Sequence, residues 1–130
     1  MDAYLAVASK RDQREYSERP VPKDAVRRIL DAGRIAGSAK NRQPWRFLVL
    51  GDRGLVDQVA QAVHAPPNLL GARLVIAIVV SGKGPVAFDA GRAAQNMMLA
   101  AWNEGVVSVR TESRTRRAWP SRSDSRRMSK

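Results

Sequence analysis

The sequence predicts a fold of mixed helices and strands, and three observations carry that reading. Two compact apolar runs, W-R-F-L-V-L at 45–50 and L-V-I-A-I-V-V at 74–80, have the length and composition of strands. Three stretches around them carry apolar residues at helical spacing, and the longest runs from Val86 to Glu104. At 130 residues, 44% of them apolar, the chain holds one domain at most and enough apolar material for a core.

Asp2 to Lys10 reads as a short helix, with Leu5, Val7 and Ala6 or Ala8 expected to face inward. Lys10, Arg11 and Arg14 crowd the end of it. Cations so close repel one another unless an anion or an acidic neighbour joins them. Guanidinium groups give forked, charge-assisted hydrogen bonds to phosphate, so the cluster is a candidate phosphate site; a solvated basic surface is the plainer reading. Pro20 and Pro22 then break the chain, and a helix starts near Val21 with proline in its first turn. Val26, Ile29, Leu30 and Gly33 form its inner face; Lys23, Arg27, Arg28, Asp31 and Arg34 face water. The helix is expected to end near Gly37, whose freedom at positive φ suits a C-terminal cap.

Gly37 to Trp45, G-S-A-K-N-R-Q-P-W, is unlike a mere connector. Ser38, Asn41 and Gln43 concentrate donors and acceptors in a short segment, and Pro44 holds it extended before the strand. Such a turn can wrap the polar edge of a flat heterocycle; the bland alternative is a solvated loop. After the strand, Gly51-Asp52 leads into a helix from Arg53 to His64 with Leu55, Val56, Val59, Ala60 and Val63 on its apolar face. His64 is the only histidine, and no partner for acid–base work is evident, so a surface or helix-terminal place is expected. Pro66-Pro67 stops the helix. The continuous apolar run at 74–80 suits an interior strand covered on both faces. Ser81 to Pro85 is glycine-rich but lacks the spacing and the Lys-Ser/Thr pair of a Walker loop, so it reads as an ordinary turn. In the last helix Ala90, Ala94, Met97, Met98, Ala101 and Gly105 form a small-residue stripe, which places it at the centre of the fold. The two methionines read as core filling, and Gln95 and Asn96 as structural amides needing partners.

Composition narrows the function classes. There are no cysteines, which excludes disulfides and thiolate chemistry. No apolar run approaches a membrane span, Met1 to Lys10 lacks the order of a secretion signal, and a cytoplasmic location is expected. The net charge of +11 invites a nucleic-acid reading, yet 8 of the 23 basic residues fall in Val109 to Lys130.

Three motifs in order now carry a resemblance. K-R-x-x-R-E-Y-x-x-x-P-V-P at 10–22, S-x-x-N-x-Q-P-W-R-F at 38–47 and F-D-A-G-R-A-A-Q-N-M-M-L-A-A-W-N-E-G at 88–105 together resemble the flavin-dependent nitroreductase family. The resemblance runs from about Tyr4 to Ser108. It implies an α+β, nitroreductase-like fold: a central sheet with flanking helices and a long central helix, here incomplete at the C-terminus. It implies FMN as cofactor, NAD(P)H as hydride donor, a small-molecule acceptor such as a nitroaromatic or quinone, and a homodimer with FMN in its interface. On that resemblance Lys10, Arg11 and Arg14 hold the FMN phosphate. Ser38 and Asn41 approach the flavin from the other subunit, with Gln43 nearby or supporting the loop. No catalytic side chain and no metal is implied. Asp12 departs from the pattern, where a small hydroxyl residue is common.

The chain therefore divides into a partial nitroreductase-like domain at 1–108 and a basic tail at 109–130 whose composition predicts disorder. Synonymous codons can be chosen for the tail so that a neighbouring frame reads P-N-G-I-A-D-A-E-G-L-A-V-A-F-G-L-A-E-D-E-Q, similar to the family's usual continuation. A frameshift that truncated a longer protein is the expectation, and the coding DNA tests it. With only two clear strands, open sheet edges and weak or absent FMN binding are expected. Two other classes stand beside the enzyme: an inactive fragment or flavin-binding module without redox activity, and a nucleic-acid or anionic-surface binder acting through Arg110–Lys130, with Trp119 free to stack on a base.

Overall fold

The computed structural model describes residues 1–114. Its elements are α1 (Ala3–Ser9), α2 (Lys23–Arg34), a 3-10 turn (Ala39–Asn41), β1 (Trp45–Val49), α3 (Arg53–Ala60), α4 (Pro67–Leu70), β2 (Ile76–Val80) and α5 (Val86–Asn103). Helices and an antiparallel sheet share one core, so the α+β class and its long central helix are observed.

β1 and β2 pair antiparallel, from Trp45 opposite Val80 to Val49 opposite Ile76. Leu50 N–H donates to Val75 O at 2.9 Å and carries the ladder one bond further. Among the described residues the sheet has these two strands, and β2 is half-buried along its whole length. The expectation of a strand covered on both faces is met only in part: α5 covers one side, and the α3–α4 cluster reaches the other at Leu48 and Val75 but leaves β2 half-buried.

α2 and α5 form the principal helix pair. Ile29, Met97 and Ala101 meet there, with Phe47, Ile76 and Ile78 of the sheet packed against them. Gly33 permits that approach, because a Cβ on it would lie 2.6 Å from Met97 Sδ and 2.9 Å from Phe47 Cζ. The buried positions of α5 are Asp89, Ala93, Met97 and Ala101, a four-residue repeat. The stripe foreseen in the sequence is therefore rotated slightly: Met97 and Ala101 belong to it, while Ala90, Ala94 and Met98 flank it. Gln95 and Asn96 are exposed, so neither is a buried amide in need of a partner; Asn96 Nδ2 does reach Ala32 O at 3.4 Å. A second cluster joins Leu50, Leu55, Val56, Val59, Ala60, Val63 and Leu69, closed by α4. It holds the predicted apolar face, but α3 ends at Ala60 and not at the expected His64, and Val63 lies past the helix in a bridge to Ser113.

Two local expectations need correction. α1 buries none of its residues, and Tyr4, Leu5 and Val7 stand exposed. It touches the body through the Ala6 and Ser9 side, where Trp102 Nε1 donates to Ser9 Oγ at 2.9 Å, and that leaves the opposite face uncovered. α2 ends at Arg34, three residues before Gly37, and Gly37 is not at positive φ. The chain leaves the helix there because Ala36 is drawn into a cluster with Trp45 and Ala93.

Past Ser108 the chain does not become free at once. His64 N–H donates to Glu112 O at 3.1 Å, Arg114 N–H to Ala62 O at 2.8 Å, and Asn68 Nδ2 to Thr111 Oγ1 at 2.8 Å. Residues 111–114 thereby lie beside α3 and α4. The remaining tail, with Trp119 and the frame-shifted reading placed on it, lies outside the described residues. No helix among the described residues is long and apolar enough to cross a membrane.

Candidate functional site

The polar loop between α2 and β1 is built by its own side chains. Ser38 Oγ accepts from Gln43 N–H at 2.9 Å, and Gln43 Nε2 donates to Asn41 Oδ1 at 2.8 Å. Asn41 N–H donates to Ser38 O at 3.0 Å and Arg42 N–H to Ala39 O at 3.1 Å. The resulting turn carries positive φ at three non-glycine residues, Lys40 and Asn41 at 52° and Gln43 at 51°. Each such residue costs on the order of 1 kcal/mol or more, and the conformation persists only where its surroundings enforce it. The internal bonds supply part of that enforcement. The three predicted residues Ser38, Asn41 and Gln43 are thus brought together, with Asn41 and Gln43 exposed.

Contacts with α5 and the turn before it supply the rest. Ala39 N–H points at both carboxylate oxygens of Asp89, each at 3.3 Å. Asp89 is the one buried charged residue among those described, at 2% exposure. Arg42 Nη1 donates to Lys83 O at 3.0 Å. The Arg92 guanidinium lies over Gly37, where a Cβ would be 2.6 Å from Nη2. Asp89, Arg42 and Arg92 were not singled out from sequence. For Asp89 a signal did exist: the buried repeat Ala93, Met97, Ala101 extends back by four residues onto an acid.

The cations gather elsewhere. Lys10 caps α1, its side chain is 8% exposed, and it pairs with Asp12. Its Nζ also lies 3.8 Å from Met98 Sδ. Arg11 Nη1 donates to Ala8 O and Lys10 O, both at 3.0 Å, and so closes the end of α1. Arg14 is exposed. The Lys10 hydrogen bond holds the Asp12 carboxyl below its ordinary range against the opposing effect of burial, and the charges of Lys10, Arg14 and Arg110 add to it. Asp12 bridges in parallel to Ser108, and Gln13 N–H donates to Ser108 O at 3.2 Å. Ser108 Oγ is buried with no hydrogen-bond partner, a spare polar group on the segment beside this basic cluster. Asp12, the departure from the family's pattern, is therefore turned onto Lys10.

Loop and cations do not meet within one chain. The loop rests on Asp89 and the cations flank Met98, nine residues along the same helix, or about 13 Å at 1.5 Å per residue. His64 is exposed, as expected. Among the described residues no three metal-binding side chains cluster.

With that geometry in place, the comparisons with known proteins can be read. The profile of the Nitroreductase family matches residues 7–84. A protein of Methanothermobacter thermautotrophicus, provisionally named NADH dehydrogenase/NAD(P)H nitroreductase, is 30% identical over 118 residues, covering 85% of this chain and 61% of its own. A protein of the same provisional name from Archaeoglobus fulgidus is 33% identical over 109 residues, covering 79% of this chain and 63% of its own. A Desulfovibrio desulfuricans protein, provisionally a nitroreductase and solved in complex with FMN, superposes with a TM-score of 0.70 at 34% identity, over 78% of this chain and 62% of that one. The chain spans less than two thirds of the length of these relatives.

Proposed function

Because the chain belongs to the Nitroreductase family, we propose that it is the FMN-binding part of an oxidoreductase that moves hydride from NAD(P)H to a nitroaromatic or quinone-like acceptor. The observation that carries this is the self-tied polar loop at 38–43, which holds three non-glycine residues at positive φ, a strain of the kind that gathers at ligand sites. When bound, FMN supplies the hydride-carrying ring, and the protein supplies binding and orientation. That division accounts for a site with no acid–base pair of its own.

The residues present fit such a group in their chemistry. Arg11, Arg14 and Lys10 offer guanidinium and ammonium donors to a phosphate, with Lys10 exchanging its bond to Asp12 for one to the ligand. Ser38, Asn41 and Gln43 offer hydroxyl and amide groups to the polar edge of a heterocycle. Their separation along α5 favours a two-copy site. A two-fold contact that pairs α5 with α5 antiparallel sets the loop end of one helix beside the cation end of the other. The uncovered surface suits this: Phe88 is 68% and Tyr4 83% exposed, and Gly91, Gln95 and Asn96 also face outward.

FMN titration of the purified 130-residue chain, followed by flavin fluorescence and light scattering, tests the reading. Saturable binding by a dimer, lost on Arg14→Ala or Asn41→Ala, supports the reading against the weak or absent binding expected of a partial domain, and NADPH oxidation is then measured. A soluble, monodisperse chain that takes up no FMN overturns it.

A further inference from the structure

The groups left over after the proposed function are few. The apolar face of α1 and the outer face of α5 are already used in the two-copy reading. Asp89 is not, although it is a buried carboxylate on a helix of otherwise apolar inner positions. We infer that Asp89 is the positioning residue of the polar loop: its carboxylate holds the Ala39 amide and so fixes the left-handed turn that presents Asn41 and Gln43 to a ligand.

Burying a carboxylate is costly unless it is compensated, so its place at 2% exposure requires a partner it serves. The Ala39 N–H, at 3.3 Å from both oxygens, is the donor that reaches it from outside α5. A place in the first turn of α5 also favours negative charge there, because the helix dipole is positive at that end. Both carboxylate oxygens of Asp89 lie within reach of the one amide, so the side chain is spent on holding Ala39. Ala39 precedes Lys40 and Asn41, both at φ 52°, and Gln43 at 51°. Released from Asp89, these residues have a downhill route to ordinary φ. That relaxation separates Ser38 Oγ from the Gln43 amide and dissolves the Asn41–Gln43 pair. Arg42 fastens one flank of the loop and the Arg92 guanidinium lies over Gly37, but neither holds a main-chain group inside the turn. Asp89 acts through the loop and need not touch the ligand.

This inference concerns the site under the function proposed above, and its test separates the two. Amide hydrogen exchange is measured by NMR on the full chain without flavin, for wild type, Asp89→Ala and Asp89→Asn. Losing a hydrogen bond to a charged group raises local opening roughly 10- to 100-fold. In Asp89→Ala the amides of Ala39 and Gln43 are expected to exchange faster by about that factor, while those of Ile29 and Met97 are unchanged. Asp89→Asn keeps an acceptor oxygen for Ala39 and is expected to recover most of the protection. FMN affinity, read in parallel, should fall at least about tenfold in Asp89→Ala and recover in Asp89→Asn, since hydrogen bonds of this class span that range. Uniform acceleration across α2, α5 and the loop would make Asp89 a general stability residue and overturn the inference, as would unchanged exchange at Ala39. If the wild type takes up no FMN, the functional reading fails, and the exchange pattern at Ala39 and Gln43 still decides whether Asp89 anchors the turn.

Discussion

Gly33→Ala puts the packing of α2 on α5 to a quantitative test. An added Cβ would sit 2.6 Å from Met97 Sδ, 2.8 Å from Met97 Cγ and 2.9 Å from Phe47 Cζ, where ordinary carbon contacts are about 3.5–4.0 Å. Two side chains must therefore each give way by roughly 1 Å. Met97 can rotate, but it is buried between Ile29 and Ala101, and Phe47 is backed by Trp45 at a ring distance of 6.1 Å. Overpacking of this kind costs about 1–3 kcal/mol. Against it stands the gain from replacing glycine inside a helix, about 0.8–1.0 kcal/mol. The net expectation is a loss of about 1 kcal/mol, or a Tm lower by about 5 °C for a domain of this size. Thermal unfolding followed by circular dichroism measures it. The same substitution in a Met97→Ala background removes the obstructing sulfur and leaves only the contact with Phe47, so there the loss from Gly33→Ala should shrink. An unchanged or higher Tm for the single mutant, or an equal loss in both backgrounds, would refute the close-approach argument.

Other consequences follow from single contacts. Asp12 has its pKa lowered in the folded chain, so its pairing stabilises above the unfolded value of 3.8 and is lost as pH falls through the lower folded value. In urea melts, Asp12→Asn should be weaker than wild type by less than about 1 kcal/mol at pH 7, because the Asp12 carboxylate is exposed to solvent, and the gap should close in strong acid; a gap that widens on acidification contradicts this. Tyr16 hydroxyl donates to Asn68 O at 3.1 Å, and burial pushes its pKa above 10. Its contribution is complete below pH 10 and lost as pH rises through the folded value, so Tyr16→Phe should cost about 1 kcal/mol at pH 7 and less in alkali. At Gly91 an added Cβ meets nothing within 4 Å in its own chain. Gly91→Arg should leave the circular dichroism spectrum intact and turn a dimer seen by light scattering into a monomer; an unaltered dimer would place the contact on another face.

Much of the fold was legible because period and composition agreed. The α3 face from Leu55 to Ala60 and the two strands emerged close to their sequence boundaries, although α3 stops short of His64. The failures have physical causes. Leu5 and Val7 look buried in a sequence because nothing there says that α1 lies against one helix only. Gly37 looks like a helix cap, yet the pull of Ala36 into the Trp45–Ala93 cluster ends α2 earlier and leaves Gly37 to accommodate Arg92. The site residues were readable as types, since hydroxyl, amide and guanidinium groups advertise their chemistry. Their support was not readable. Asp89 serves Ala39 across fifty residues, and Asp12 occupies Lys10, and both relations exist only after folding.

The placement of the two clusters has one consequence that neither cluster has alone. Lys10 reaches the Met98 end of α5, and the loop lies near Asp89. On the two-copy reading proposed above, a ligand that uses both draws them from different copies, so its binding and the association of chains are linked. Apparent FMN affinity should then rise with chain concentration across the range where light scattering shows dimers forming, and FMN should shift that range downward by the same factor. Asp12 modulates the linkage, because Lys10 must exchange one carboxylate for one phosphate. Asp12→Asn should therefore tighten FMN binding while it weakens the apo chain. An affinity independent of chain concentration would mean that one copy suffices, and that the loop and the cations serve different ligands.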